Sequence, residues 1–464
     1  MEALGQVLNV AQMQAAEQAI IASGTSIDEL MRIAGRGAAE WVWRIAAGRS
    51  VTVLCGPGNN GGDGYVIAET LRQRGLQVRI VAPSEPKTDA AKNARAQYQG
   101  TVLTSGNGAH GQVLVDCLFG SGLVRPLSAE HVLMLLDLAE RHHIRIAIDL
   151  PSGVESDTGA LLNERLPQFD VTLALGAWKY AHYLLPGRVK IGNLQLVPIG
   201  VAAVDGAAQL IEKPHLSAPP VNAHKYTRGL CTVVAGEMPG ATLLSAEAAM
   251  RAGAGYVKLL ASKRPCGASR GLVIETASLD DALADGRIDA ILIGPGLGRD
   301  EAAKARLHAV LAQRRPTVLD ADALVMLTPD MLDEGTPYLA TPHDGELDVL
   351  CHHFAVVAQG RQARAQALSQ ASGIVVLAKG PDTVIAAPDG RVALAPPASS
   401  WLSVAGSGDV LAGIAASRMA NGADPFAAGC EAIWLHGQAA HVSGPAFTAD
   451  DLACAVSRAY DAAL

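Results

Sequence analysis

The segment from Gly56 to Gly64, which reads Gly-Pro-Gly-Asn-Asn-Gly-Gly-Asp-Gly, constrains the fold of this chain more than any other feature. It follows the apolar, β-branched stretch 51–55 and precedes a helical pattern over 65–74, so it predicts a strand, a tight turn and a helix. Glycines in such a turn let backbone N–H groups approach a phosphate. The two asparagines and the aspartate add oxygens that a phosphate does not need, which indicates a polar substrate beside a hard cation.

The same segment contains the spacing Gly-x-Gly-x-x-Gly of a dinucleotide-binding turn, at Gly56, Gly58 and Gly61. In that motif an acidic residue closes the second strand about 20 residues later and binds the ribose. Here the predicted second strand, 77–82, is followed by Pro83-Ser84, and Glu85 comes late. The dinucleotide fingerprint is incomplete, and a plain tight turn between strand and helix stays open as the alternative.

The length of 464 residues predicts more than one domain. Short β-branched stretches alternate with alanine-rich helical stretches, a pattern typical of parallel α/β domains. The composition shifts to proline and small polar residues around 211–222. We therefore expect a first domain over residues 1–212, a linker over 213–222 and a second domain over 223–464.

The expected elements differ between the two halves, and no fixed-period repeat relates them, so two different domains are fused. In the first half, helices are predicted at 9–22 and 26–46 and strands at 51–55, 77–82, 113–117, 144–149, 171–175 and 193–197. In the second half, strands are predicted at 229–235, 290–293, 317–320, 338–340 and 374–378, helices at 241–252 and 300–311, and a hairpin turn at 388–390.

Charge and cysteine usage exclude several classes of protein. The net charge of −8 argues against a nucleic-acid-binding surface. The seven cysteines form no Cys-x-x-Cys pair, which indicates buried thiols in a reducing compartment, not disulfides or zinc ligands. No signal-peptide pattern and no apolar run long enough to span a bilayer are evident. We expect a cytoplasmic protein that binds neither nucleic acid nor membranes.

Polar residues follow three predicted strands of the first half. Asp116 precedes the turn Phe-Gly-Ser-Gly, and Asp149 precedes Leu-Pro-Ser-Gly, which ends with Ser152 and Gly153. Because ligands bind outside the carboxyl ends of strands in open α/β sheets, these residues and Asn60 are predicted to face one crevice. A single aspartate of this kind can also be a mere helix cap.

These segments, together with Leu-Met-Arg-Ile-Ala-Gly-Arg-Gly-Ala-Ala-Glu-Trp at 30–41, resemble the NAD(P)H-hydrate epimerase family, which interconverts the two C6 epimers of the hydrated nicotinamide cofactor. The resemblance implies that Asp149 is catalytic and that K⁺ is held by Asn60, Asp116 and Ser152. It implies that the hydrate is bound by Asn59, Asn60, Gly61, Gly62, Asp63, Gly120, Ser121, Gly122, Leu123, Val124, Arg125, Pro126 and Asp149.

A carboxylate suits this reaction, because the C–O bond at C6 must break and form again. Asp149 could shuttle the hydroxyl proton and offset the charge of an iminium ion. Ser121 stands where members of the family often carry threonine. Lys179 follows a predicted strand; we expect an exposed, solvated lysine there, with a phosphate contact as the alternative.

Four motifs stand in order in the second half: Gly-Pro-Gly-Leu-Gly at 294–298, Thr-Pro-His-Asp-Gly-Glu at 341–346, Lys-Gly-Pro-Asp-Thr at 379–383 and Gly-Ser-Gly-Asp at 406–409. The last opens a predicted helix, whose first N–H groups form an anion hole. Asp409 can take a proton from a hydroxyl that attacks a phosphate. Taken alone, this motif could also be a simple helix cap.

The last two motifs together resemble the ribokinase-like fold. With His-Lys-Tyr-Thr-Arg-Gly at 224–229 and Met-Pro-Gly-Ala at 238–241, they resemble the nucleotide-dependent NAD(P)H-hydrate dehydratase family. The resemblance implies that Asp409 is the general base and that Mg²⁺ bridges the phosphates. It implies hydrate binding by Ala241, Gly296, His343 and Asp409, and nucleotide binding by Lys379, Gly380, Pro381, Asp382, Thr383 and Gly408.

Asp344 departs from that family, most of whose members carry proline at this position, and we expect little effect on His343. A buried core histidine is the alternative reading of His343. The residues do not distinguish ADP from ATP; ADP is expected because the fused enzymes resemble the ADP-dependent branch.

The sequence therefore predicts an α/β protein with an N-terminal Rossmann-like three-layer domain followed by a C-terminal ribokinase-like α/β domain. Its expected activity is metabolite repair: epimerisation of NAD(P)HX, then dehydration of the S epimer to NAD(P)H, with ADP giving AMP and phosphate. We expect NAD(P)HX and an adenine nucleotide as ligands, and a homo-oligomer. The alternative is a ribokinase-like small-molecule kinase with a non-catalytic N-terminal binding domain.

Overall fold

The computed structural model describes residues 5–464. The chain divides into two compact units, Met1–Gln209 and Leu210–Leu464. Residues 211–229 contain no helix or strand. Within the described part of the chain, no helix combines the length and the apolar character needed to cross a bilayer.

From residue 5 onward, the first unit has a seven-stranded parallel sheet and five α-helices. The strands up to the unit boundary are β1 (Gln6–Leu8), β2 (Val51–Cys55), β3 (Val78–Val81), β4 (Thr101–Leu103), β5 (Val113–Cys117), β6 (Ile144–Ile148), β7 (Val171–Leu175), β8 (Trp178–Lys179), β9 (Asn193–Val197) and β10 (Ala208–Leu210). The helices are α1 (Val10–Ala22), α2 (Ile27–Ala46), α3 (Asn59–Gln73), α4 (Asp89–Gln97) and α5 (Ala129–Glu140). The sheet order is β4-β3-β2-β5-β6-β7-β9, so β2, β5 and β6 are neighbours.

Apolar side chains cover both faces of this sheet. In β2, Val53 and Cys55 belong to one buried cluster with α2 and α3, and Leu54 belongs to a second cluster with α5. Alternation of side chains across a strand explains the division. A parallel sheet buried on both faces lies between two helical layers, which confirms the predicted three-layer architecture.

Helix α3 begins at Asn59, six residues before the start of the predicted helical pattern. The glycines of the segment 56–64 allow this helix to pack directly on the strand ends. A Cβ on Gly61 would lie 1.9 Å from Gly56 O, and one on Gly64 would lie 2.7 Å from Cys55 Sγ. The asparagines therefore lie in the first helical turn instead of in a preceding loop.

The second unit has nine strands from residue 230 onward and nine α-helices. The strands are β11 (Leu230–Val234), β12 (Tyr256–Leu260), β13 (Val273–Glu275), β14 (Ala290–Ile293), β15 (Thr317–Leu319), β16 (Tyr338–Ala340), β17 (Val375–Ala378), β18 (Val384–Ala386) and β19 (Val392–Leu394). The helices are α6 (Pro239–Arg251), α7 (Leu279–Leu283), α8 (Glu301–Leu311), α9 (Asp322–Met326), α10 (Asp344–His353), α11 (Arg361–Ser372), α12 (Ser407–Ala420), α13 (Pro425–Ser443) and α14 (Ala449–Asp461).

These strands follow the order β13-β12-β11-β14-β15-β16-β17-β18-β19. The ladders are parallel as far as β17, and the last two are antiparallel, which confirms the predicted hairpin. Strands β12 and β13 were not predicted. In β12 the charged Lys258 interrupts the apolar pattern, although it is buried and pairs with Asp285 at 2.9 Å.

Candidate active sites

Three neighbouring strands of the first unit end at one group of polar side chains. Asn60 lies in the first turn of α3 after β2, Gly120 in the loop after β5, and Asp149 directly after β6. A Cβ on Gly120 would lie 3.1 Å from Asp149 Oδ2 and 3.2 Å from Asn60 Cγ. The fold thus brings together the strand ends that the sequence predicted to share a crevice.

The carboxylate of Asp149 is paired with a buried lysine. Lys179 Nζ lies 2.6 Å from Asp149 Oδ1, and the lysine side chain is 1% exposed. The ammonium also donates to Leu175 O at 2.6 Å, and the backbone N–H of Ser121 donates to Asp149 Oδ2 at 2.9 Å. The expectation that Lys179 is exposed and solvated was wrong, because its ammonium is held by Leu175 O at the end of β7 and by Asp149.

The environment keeps Asp149 ionised. Burial alone would raise the pKa of this carboxyl, but the charge and hydrogen bond of Lys179 and the bonds from Ser121 lower it to about 2. His182 supports the pair: its Nδ1 accepts from the Lys179 N–H at 2.9 Å, and its Nε2 lies 2.8 Å from Asp149 O. Burial and the nearby lysine lower the pKa of His182 to about 4, so this imidazole is neutral at pH 7.

Two more carboxyl groups face the same place. Asp63, in α3, is 8% exposed, and burial together with the charges of Asp149 and Glu17 raises its pKa well above the ordinary value. Burial also raises the pKa of Glu17, in α1, against the opposing effect of Lys179. Sequence reasoning missed Glu17, since nothing in α1 marks it as different from a surface glutamate.

A group of oxygen-bearing side chains, Asn60, Asp116 and Ser152, lies beside this pair. Neither Oδ1 nor Nδ2 of Asn60 has a hydrogen-bond partner among the described residues, although both atoms are buried. Asp116 is fully buried and accepts from the Leu118 N–H at 3.0 Å and from the Ser152 hydroxyl at 2.8 Å. Burial raises its pKa to about 6 despite these bonds. The donor set suits a hard cation, which prefers oxygen ligands.

Other predicted residues of this site lie further out. Gly61 and Gly62 are buried in α3, and Leu123 is buried in the loop after β5. The remaining residues have exposed side chains or backbone on that loop and at the start of α3: Asn59, Gly122, Val124, Arg125 and Pro126.

In the second unit a buried lysine lies among three carboxylates. Lys379, directly after β17, donates to Asp320 Oδ1 at 2.6 Å and lies 3.9 Å from Glu346 Oε2. Asp320 follows β15 and also accepts from the Thr341 hydroxyl at 2.7 Å. The position of a Cβ on Gly408 would be 3.4 Å from Lys379 Nζ, so the ammonium lies at the start of α12.

Asp409 stands in the first turn of α12 beside this lysine. Burial raises its pKa to about 6, and the charge of Asp320 adds to this effect while Lys379 opposes it. The first N–H groups of a helix have no partner within the helix, so they can bind an anion together with the lysine. The helix start is anchored by His436, whose Nε2 lies 2.9 Å from Ser407 O.

His343 is the N-terminal cap of α10 and is not a core histidine, because its side chain is 61% exposed. Its Nδ1 accepts from the Gly345 N–H at 3.0 Å, and its Nε2 lies 3.1 Å from Glu346 Oε1. Glu346 therefore connects the histidine to Lys379. On another edge of the site, a Cβ on Gly296 would be 3.2 Å from the Cβ of Ala241.

The loop 379–383 is closed by its own side chains. The Thr383 hydroxyl accepts from the Gly380 N–H at 3.0 Å and donates to Gly380 O at 2.7 Å. Asp382 is buried and forms an ion pair with Arg361. Both side chains thus hold the loop itself, and the loop can offer a ligand its backbone and Lys379.

Curated proteins match nearly the whole chain. The bifunctional NAD(P)H-hydrate repair enzymes of Salinibacter ruber and Thermosynechococcus vestitus are each 33% identical, over 94% of this chain and 92% of theirs. This chain belongs to the bifunctional NAD(P)H-hydrate repair enzyme family.

Two family models match separate parts of this repair-enzyme chain. Residues 27–181 match the YjeF-related protein N-terminus, and residues 231–460 match NAD(P)H-hydrate dehydratase. A ribokinase-like superfamily protein from Enterococcus faecalis superposes with a TM-score of 0.50 at 22% identity, covering 56% of this chain and 98% of that protein. That likeness confirms the ribokinase-like fold of the second unit.

Several charged residues near the two sites of this repair enzyme were not predicted as site residues. Asp320 lies at a strand end, as Asp116 and Asp149 do, and that position alone could have marked it. Glu346 belongs to the motif 341–346, but its contact with Lys379 joins two motifs that are far apart in the chain. Arg361 carries no sequence signal at all.

Proposed function

We propose that the first unit equilibrates the R and S epimers of NAD(P)HX and that the second unit dehydrates the S epimer to NAD(P)H, consuming ADP. The observation that carries the proposal is the presence of two separate acid–base centres, Asp149–Lys179 and Asp409–Lys379, in a chain that covers 92% of the length of repair-enzyme relatives. A dehydratase that accepts one epimer alone would strand the other, which gives the fusion a chemical reason. Residues 213–222 would link the two domains.

In the epimerase step, the lone pair of the ring nitrogen expels the C6 hydroxyl, and water adds again to either face of the planar iminium ion. Asp149, ionised because its pKa is about 2, offsets the positive charge of that ion. An ionised carboxylate has no proton to give, so the Lys179 ammonium, 2.6 Å away, is the group that protonates the departing hydroxyl. In the sequence analysis, Asp149 was the residue expected to transfer this proton.

Asn60, Asp116 and Ser152 would hold K⁺ beside this centre. The fit rests on the unpartnered buried amide of Asn60 and on the fully buried carboxyl of Asp116, which no ammonium or guanidinium neutralises among the described residues. A bound cation would supply positive charge next to the loop after β5. It would thereby hold that loop, including Gly120 and Ser121, against Asp149.

In the dehydratase step, Asp409 takes the proton of the C6 hydroxyl, whose oxygen attacks the terminal phosphorus of ADP, and AMP leaves. The ring nitrogen then expels phosphate from C6, and loss of a proton from C5 restores the dihydronicotinamide ring. Lys379 and the first N–H groups of α12 offset the charge on the transferred phosphoryl group. His343, Ala241 and Gly296 would line the hydrate side of the site, and residues 379–383 with Gly408 the nucleotide side.

Mg²⁺ would neutralise the nucleotide phosphates. Among the described residues, no group of three His, Cys, Asp or Glu side chains is arranged to hold a metal ion. Such a group is unnecessary here, because Mg²⁺ usually takes one or two carboxylates together with phosphates and water. Asp320 and Glu346, which flank Lys379, are the carboxylates available for that role.

The proposal is tested by adding the purified enzyme to a mixture of both NADHX epimers with ADP, ATP or no nucleotide. The absorbance of the dihydronicotinamide ring is followed, and AMP or ADP and phosphate are quantified. Full recovery of both epimers with one nucleotide supports both activities. Recovery of only the S fraction, apart from slow spontaneous epimerisation, would remove the epimerase assignment.

A stable phosphorylated product without recovered absorbance would instead support a ribokinase-like kinase. The cytoplasmic location and the homo-oligomeric state expected from the sequence stay predictions.

A further inference from the structure

One guanidinium group bridges the two ligand-binding motifs of the second unit. Arg361, the first residue of α11, donates from Nε to Asp344 Oδ1 at 3.1 Å and from Nη2 to Asp344 Oδ2 at 2.5 Å. Its Nη1 pairs with Asp382 in the nucleotide loop. Asp344 is the residue after His343 and the first residue of α10. The three side chains, Asp344, Arg361 and Asp382, are called the carboxylate–guanidinium bridge below.

The two halves of the bridge differ in exposure. The side chains of Arg361 and Asp382 are 11% and 6% exposed, whereas that of Asp344 is 56% exposed. The guanidinium also supports the loop sterically, since a Cβ on Gly380 would lie 2.4 Å from Arg361 Cζ. Breaking a buried ion pair leaves one charge uncompensated, while an exposed pair is screened by water and salt. The buried Arg361–Asp382 ion pair should therefore hold the loop 379–383. The more exposed Arg361–Asp344 ion pair should adjust the position of this loop relative to α10.

We propose that Arg361 is a positioning residue that fixes the nucleotide loop 379–383 to the His343 end of α10, so that the nucleotide and hydrate sides of this site are aligned with each other. The inference rests on the proposed function for the identity of the two ligands. Asp344 supplies the exposed end of the bridge and accepts two hydrogen bonds from the Arg361 guanidinium.

The test compares full-length wild type with R361Q, R361K and D344N. Amide hydrogen exchange of residues 379–383 is measured without ligand, and ADP affinity is measured by calorimetry. Steady-state assays then give kcat and the KM of each substrate. R361Q is expected to speed exchange in the loop and to weaken ADP binding by about tenfold to a hundredfold. Both KM values should rise more than kcat falls.

R361K should behave like R361Q, because a lysine ammonium cannot contact two carboxylates in the geometry of the guanidinium fork. D344N should weaken ADP binding by about two- to fivefold at low salt, and the difference from wild type should shrink at high salt. The matched control is D389N, because Asp389 in the turn between β18 and β19 is 54% exposed, much like Asp344, and pairs with Arg391 at 2.7 Å. Asp348 is unsuitable as a control, since its partner Arg364 also lies 3.5 Å from Asp344 Oδ1. D389N should leave loop exchange and both KM values as in wild type.

The positioning role is refuted if R361Q leaves loop exchange and both KM values unchanged, or if D389N changes them as much as D344N does. Failure of the proposed function is recognised separately, because the wild type would then regenerate no NADH from S-NADHX with either ADP or ATP. Hydrogen exchange would still report in that case whether Arg361 holds the loop.

Discussion

Lys179 Nζ lies 2.6 Å from Asp149 Oδ1, and the two side chains are 1% and 9% exposed. The pair is formed by residues that follow two neighbouring strands, β6 and β7. Asp149 itself has a φ of 66°, a conformation that turns its side chain out of the strand direction and towards the loop after β5. The ion pair, the backbone geometry and the proposed cation site are thus parts of one arrangement.

Replacing Lys179 by methionine should leave the Asp149 charge buried without a partner, which costs about 3–5 kcal/mol. In wild type the lowered pKa of Asp149, about 2, gives stability that is present above its ordinary pKa and lost as pH falls towards 2. In K179M the pKa of Asp149 rises, because the ammonium of Lys179 no longer opposes the effect of burial. The free energy of unfolding that K179M loses relative to wild type should therefore be larger near pH 7 than near pH 4. Urea unfolding at both pH values measures this difference.

The control for that experiment is K190M. Lys190 Nζ donates to a carbonyl, Leu166 O, at 2.9 Å, so its removal should cost less and the cost should not vary with pH over this range. Epimerisation by K179M should fall by about a hundredfold or more. An equal pH dependence for K179M and K190M would contradict the ion-pair account.

D409N should lower dehydration by a factor of about 10² to 10⁴, the usual contribution of a general base. Because burial and Asp320 raise the pKa of Asp409 to about 6, the wild-type dehydration rate should fall as pH drops below 6, where the carboxyl is protonated. This fall in the dehydration rate is measured from the pH–rate profile in the presence of ADP. Epimerisation should be unchanged in D409N, and the exposed D450N in α14 serves as a control for dehydration.

Removing K⁺ should lower epimerase activity and the Tm of the first unit. N60A should abolish this response with little loss of stability in the absence of K⁺, because the amide of Asn60 makes no hydrogen bond in the structure. Thermal unfolding in KCl and in tetramethylammonium chloride at equal ionic strength provides the measurement. N59A alters the neighbouring, exposed asparagine and should keep the K⁺ response; a K⁺ response in N60A would show that the cation binds elsewhere.

A321G should stabilise the second unit by about 1 kcal/mol. Ala321 has φ 48° and ψ −121°, a conformation that suits glycine, and it turns Asp320 towards Lys379 and Asp322 towards the Gly298 N–H. A305G, at an exposed position inside α8, should instead cost about 1 kcal/mol. The urea concentration at the unfolding midpoint is measured for both variants. A shift of this midpoint in the same direction for A321G and A305G would contradict the explanation by backbone strain.

Much of the fold could be predicted because the signals are local. The strand at 51–55 and the helix after Gly406 follow from apolar patterns and turn residues a few positions apart, and the structure has both. Strand β12 escaped prediction because Lys258 breaks the apolar pattern. The partner of this lysine, Asp285, is 27 residues away, beyond the reach of any local pattern.

The sequence by itself determined the family and many of the strands and helices, and it named several of the strand ends where the sites lie. Only the tertiary structure decided which charges meet. It paired Lys179 with Asp149 instead of with solvent, and it placed Arg361 between Asp344 and Asp382. The physical reason is that periodicity depends on neighbours along the chain. The partner, protonation and strength of a charge depend instead on groups from other elements and on the exclusion of water.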